Sequence, residues 1–220
     1  MTEKTMWRVP MLRKEEFTDA SREVCAFWGE PNAWEEGSKT NIINVMANHP
    51  DLGNAYNTFG KHFLVTNTVP LRPRELIVMR VAWLLKSEYE WHNHVGYCLN
   101  LGMSLEEIAK IKDGADAPGW SEEDAALLRA CDELIKQNDL CDATWNTLTK
   151  YYNRQQMMDI VFTIGQYVMT SWAITAMRMP LEAHCDPIGW DLKTASGQTP
   201  TRTFKPGETE DWADNRGYTE

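Results

Sequence analysis

Three side chains in this chain are of the right types and spacing to move protons: Glu75, Glu90 and His94. Glu90 and His94 stand four residues apart, so on a helix they share one face, and Tyr97 and Cys98 continue it. A carboxylate beside an imidazole raises the pKa of the histidine, while burial raises that of the carboxylate, and such a pair exchanges protons near neutral pH. His92 lies about 200° around the same helix from His94, so the two imidazoles cannot serve one site. Arg72, Arg74 and Arg80 precede the pair and offer forked donors for a substrate carboxylate. Trp91, Tyr97 and Cys98 are the candidate pocket-lining contacts.

Plainer explanations compete. In the first turn of a helix Glu75 would complement the macrodipole. Glu90 and His94 would pair on a surface as any i, i+4 couple does. The same three residues could ligate a metal, but a single hairpin with no further histidine in register is a thin ligand set. His49 and His62 read as helix-end residues, and Cys98 as a small buried hydrophobe. His184 and Cys185 are adjacent, a spacing at which side chains rarely face each other.

The elements that must position the trio are helical. Apolar residues fall all round the segment 73–86, which implies burial on every side, and Pro73 suits its first turn. Lys86 and Ser87 interrupt the pattern, and a second helix runs over 88–101 to Gly102. If the chain reverses near Ser87, Glu75 and His94 are offset by about 7 Å along the hairpin, a gap that two side chains and a water would span. Further helices are expected over 15–28, 40–48, 51–64 (capped by Asp51), 104–112, 122–137, 142–151 and 153–177, with a loop over 32–37. No stretch alternates with period two. The expected fold is all-α: a single helical domain over 1–180 and an extended tail over 181–220. Trp190, Phe204 and Trp212 suggest that this tail lies over its own or a neighbouring subunit.

Composition narrows the function classes. The net charge of −10 with no basic run speaks against nucleic acid as a partner. Five scattered cysteines without a CxxC pair speak against a disulfide scaffold or zinc ribbon and for a reducing compartment. The first residues lack a signal-peptide core, and the apolar segment 157–177 carries Asp159 and Gln166, as a buried helix does more readily than a membrane span. A soluble cytoplasmic protein is expected, with no membrane partner.

The stretch LRPRELIVMRVAWLLKSEYEWHNHVGYCLNLG, residues 71–102, resembles the carboxymuconolactone decarboxylase family, which includes the AhpD-like alkylhydroperoxidases. The likeness extends more loosely from HPDLGNAYNTFG (49–60) to the helix ending near Met177. The redox branch carries a glutamate, eleven residues, then C-x-x-C-x-x-x-H. In that frame Glu75 and His94 hold the glutamate and histidine positions, and Ser87 and Glu90 replace the cysteines. Neither replacement cycles through a disulfide. Glu90-Trp91-His92-Asn93-His94 instead fits the E-x-x-x-H arrangement of the non-redox branch.

The resemblance implies antiparallel helices assembled into dimers, trimers or hexamers. It also implies a cofactor-independent lyase or isomerase acting on a small carboxylated, carbonyl-bearing or lactone compound. In that reading His94 moves the proton, Glu90 orients it, and Glu75 is a second acid/base or anchors a water. The alternatives are an AhpD-like peroxidase or oxidoreductase using Cys98, and a catalytically silent binder of a small ligand.

Overall fold

The structure, a computed structural model, describes residues 7–201, and among these it is all-helical apart from one isolated bridge between Ile188 and Thr194. The described residues form two compact units, 7–66 with 173–185 and 67–172 with 186–201. Phe204 and Trp212 lie outside the described residues.

The first unit holds α1 (Asp19–Ala26), α2 (Ala33–Glu36), α3 (Asn41–Met46) and α4 (Pro50–Lys61), the last running on into a π-helical turn, His62–Thr66. Its small core gathers Phe17, Val24, Cys25, Ala33, Met46 and Ala47. Three local expectations shift here. The first helix begins at Asp19 because Thr18 caps it, its Oγ accepting from Ser21 N at 3.2 Å, and Lys14–Glu16 form a separate 3₁₀ turn. The segment read as a loop contains the one-turn α2. The cap of α4 is His49 rather than Asp51: its Nδ1 accepts from Leu52 N at 3.4 Å, and Pro50 takes the first helical position, where no N–H is needed.

The second unit is built on α5 (Leu71–Leu85), which packs against α6 (Glu88–Asn100) and α8 (Glu122–Gln137). Every residue of α5 from Arg74 to Ala82 is buried, as apolar residues on all sides of the helix imply, and the charged Arg74, Glu75 and Arg80 are buried with them. The helix ends at Lys86, whose left-handed φ of 55° turns the chain into α6. Gly102 closes α6 at φ +86°, a conformation that suits glycine. Then come α7 (Leu105–Lys110), α9 (Asp142–Leu148) and the 24-residue α10 (Arg154–Met177), of which 154–172 belong to this unit.

Asn153 and Gln156 exchange side-chain and backbone bonds at 3.0 Å, a complete capping box for α10. By length and composition α10 could cross a membrane. One of its faces, however, buries Met157, Ile160, Ile164 and Tyr167 in the core of this unit, and Asp159 accepts from both Thr68 N and Oγ1 at 2.7 Å. Residues 186–201 of the expected tail are part of this unit: Trp190 packs on Trp83 and Trp91, with ring centroids 5.3 and 5.1 Å away, and Leu192 is buried.

Candidate active site

Glu75 comes from the second turn of α5 and His94 from the second turn of the antiparallel α6. The hairpin between them sets their side chains face to face. His94 Nδ1 and Glu75 Oε2 are 2.5 Å apart, a direct bond where the sequence geometry left room for a water. On the other side of the ring, Nε2 is 3.3 Å from Glu90 Oε2. All three residues are buried, at 2%, 5% and 6% exposure for Glu75, Glu90 and His94, so neither the surface-pair nor the simple dipole explanation describes them.

Arg74 is also buried, and its Nη2 lies 3.6 Å from Glu75 Oε1. With both carboxylates ionised and His94 protonated, the formal charges of the four residues sum to zero, as an enclosed charged cluster must approach. Burial is the largest single influence on His94 and works against its protonation. The carboxylates of Glu75 and then Glu90 together outweigh it and hold the imidazole at a pKa of about 9, above the ordinary 6.5.

Two tyrosines clamp the imidazole edge-on. Tyr97 lies 5.0 Å and Tyr167 5.3 Å from it, centroid to centroid, each at 86°. Tyr97 was legible from its place on the α6 face. Tyr167 was not, because it arrives from α10, and the sequence signal was one phenol in a long, mostly apolar helix.

The remaining expected contacts fall into two groups. Arg74 belongs to the cluster. Arg72 instead donates to Asp124 Oδ1 and Oδ2 at 2.8 and 3.0 Å and to Glu107. Arg80 forks onto Asp132 at 2.9 Å twice and donates to the carbonyls of Ile111 and Lys112 at 2.8 and 2.9 Å, tying down the turn after α7. Both guanidinium groups are therefore engaged in holding helices together. Trp91 is fully buried with its Nε1 donating to Gly189 O at 3.0 Å. Cys98 is fully buried, and burial followed by the charge of Glu75 pushes its thiol well above the ordinary range, the reverse of what a reactive thiolate needs. His92 turns away from the site, with Nδ1 accepting from Ile188 N at 2.9 Å.

The sequence profile of the carboxymuconolactone decarboxylase family matches residues 50–133, a span that includes Glu75, Glu90 and His94. Over that stretch the chain is similar to the carboxymuconolactone decarboxylase family. Solved structures share this fold at low identity. An AhpD-core, peroxidase-related protein from Ralstonia eutropha JMP134 is 14% identical, with a TM-score of 0.66 over 84% of this chain and 95% of its own. A peroxidase-related protein from Silicibacter sp. TM1040 is 16% identical, with a TM-score of 0.65 over 81% and 92%. The debrominase Bmp8, solved with 2,3,4-tribromopyrrole, is 18% identical, with a TM-score of 0.62 over 80% and 91%. No curated protein matches the sequence significantly.

Proposed function

We propose that this protein is a carboxymuconolactone decarboxylase-like, cofactor-independent acid–base enzyme, a decarboxylase or related lyase acting on a small ring compound that carries a carboxylate and a conjugated carbonyl or lactone. The observation that carries this reading is the buried Glu75–His94–Glu90 chain, in which each imidazole nitrogen meets a carboxylate oxygen. Because both ring nitrogens are engaged, the reacting end of the chain is Glu90, and His94 is the proton store behind it. That exchanges the roles first expected for the two residues. Glu75 fixes the ring and sustains its charge.

At neutral pH such a chain is loaded with a proton. When CO2 leaves the substrate, the electron pair of the broken C–C bond stays on carbon and is delocalised onto the conjugated carbonyl. His94 Nε2 passes its proton to the Glu90 carboxylate, which delivers a proton to that carbon, and solvent reloads His94. One proton is consumed for each CO2 released. Thiol peroxidase chemistry has no support at this site, since Ser87 and Glu90 stand at the cysteine positions and Cys98 is buried with a raised pKa.

The test is release of CO2, or solvent deuterium incorporated at carbon by NMR, across a panel of carboxylated lactones and β-keto ring acids beginning with 4-carboxymuconolactone. Wild type is expected to convert at least one member, and Glu90→Gln and His94→Ala to lose that turnover while keeping the helical signature. Full activity in either variant would remove the chain from the mechanism.

A homo-oligomer in the cytoplasm is proposed with this reading. The outward face of α10 exposes Met158, Phe162, Met169 and Trp172, with Gly165 between them, at alternating spacings of four and three. That is the seam pattern of helices that pair with each other, and a second copy of α10 is the occupant it fits.

A further inference from the structure

We propose that Ser87 and the opening turn of α6 form the subsite for the substrate oxygen on which negative charge develops. This rests on the acid–base reading above and assigns to it the group that faces the carbonyl.

Ser87-Glu88-Tyr89-Glu90 spells the S-x-x-E capping box at the first turn of a 13-residue helix, yet neither half of the box is made. The Ser87 side chain makes no cap bond, and the Glu90 carboxylate turns to His94 instead. Elsewhere the same residue types do cap: Ser104 accepts from Glu107 N at 3.1 Å, and Ser121 from Asp124 N at 3.0 Å.

Ser87 is only 1% exposed, and among the described residues its Oγ has no hydrogen-bond partner. Its backbone is fixed, with N donating to Ala82 O at 2.9 Å and O accepting from Trp91 N at 3.0 Å, so the hydroxyl is the part left unused. A buried hydroxyl without a partner is costly, and native chains keep such groups where they serve something else.

The chemistry of the ligand follows from its surroundings. The hydroxyl donates one bond, and the start of a helix adds N–H groups and the positive end of its dipole. Glu88 and Glu90 stand in the same turn, so a multiply charged anion such as phosphate is repelled. What fits is one carbonyl oxygen that becomes an enolate. Ser87 is the N-cap residue of α6, and Glu90 and His94 follow it at spacings of three and four, toward one side of the helix. In this assignment the carbon next to an oxygen held at Ser87 is the one that Glu90 serves. The shielding of Ser87 from water strengthens a donor aimed at a developing charge.

Binding separates this inference from the question of turnover. Calorimetry on the full chain would compare 4-oxocyclohexanecarboxylate with cyclohexanecarboxylate, which lacks the ketone. Wild type is expected to prefer the ketone by about tenfold, the worth of one hydrogen bond in a buried site. Ser87→Ala is expected to erase the preference and to leave the melting temperature unchanged or raised, since no cap bond is lost. Equal binding of the two acids by wild type, no binding of either, or a preference that survives in Ser87→Ala would each overturn the subsite. A melting temperature lowered in Ser87→Ala would reassign the residue to holding the helix. A panel that is bound with ketone selectivity but never converted would instead count against the decarboxylase reading and leave the subsite standing.

Discussion

Replacing Glu75 by glutamine, a change of one atom in shape and one unit in charge, tests the coupling at the centre of the site. In the native protein His94 holds its proton up to a pKa of about 9 instead of 6.5. That difference corresponds to about 3 kcal/mol. Because the folded pKa is raised, this stabilisation is complete below about pH 6.5 and is lost as the pH climbs through about 9. In Glu75→Gln the 2.5 Å partner of Nδ1 keeps its hydrogen-bonding capacity but not its charge. Burial, the largest influence on the imidazole, is then opposed only by Glu90 at 3.3 Å. We expect the pKa of His94 to fall to about 6.5 or below, a change of roughly 300-fold in its protonation equilibrium. Imidazole ¹⁵N resonances followed through a pH titration read this directly. Urea denaturation at pH 6 and pH 9.5 reads it as energy: the wild type should lose about 3 kcal/mol more between the two than the variant does, groups elsewhere cancelling in the comparison. A His94 that still titrates near 9 in Glu75→Gln would refute the reasoning, because the charge held responsible would not be the cause.

Other positions make narrower predictions. Gly114→Ala should destabilise the chain by about 2 kcal/mol in denaturant titrations: its φ of +84° strains any side chain, and a Cβ there would sit 2.6 Å from Arg80 Nη2. A thiol reagent should modify Cys141 and Cys185 promptly in the native protein, and Cys25, Cys98 and Cys131 only on unfolding, since those three are buried; rapid loss of Cys98, read by peptide mass spectrometry, would return a thiol to the site. Cys98→Ala should keep whatever turnover the wild type shows. Phe162→Glu combined with Met169→Glu should lower the mass seen by light scattering after size exclusion, and an unchanged mass would move the self-association surface away from α10.

Much of this protein was legible before its structure. The all-helical class, the hairpin of 73–86 and 88–101, the caps at Ser104, Ser121 and Asn153, and the pairing of Glu90 with His94 follow from periodicity and spacing. Those signals are local, reaching no farther than a turn or two of helix. The direct Glu75–His94 bond depended on how closely α5 and α6 pack, and the Tyr167 clamp on which face of α10 turns inward. The three arginines could not be told apart in sequence. Arg72 and Arg80 were claimed by Asp124, Glu107 and Asp132, dozens of residues away in the chain, and Arg74 was left to the cluster. Ser87 carried the pattern of an ordinary cap, and only the fold, by sending Glu90 to His94, left its hydroxyl alone. The sequence determined which groups share a helix face. The tertiary structure decided which of them meet across helices and lose their water, because proximity between distant segments and the desolvation that shifts a pKa are properties of packing.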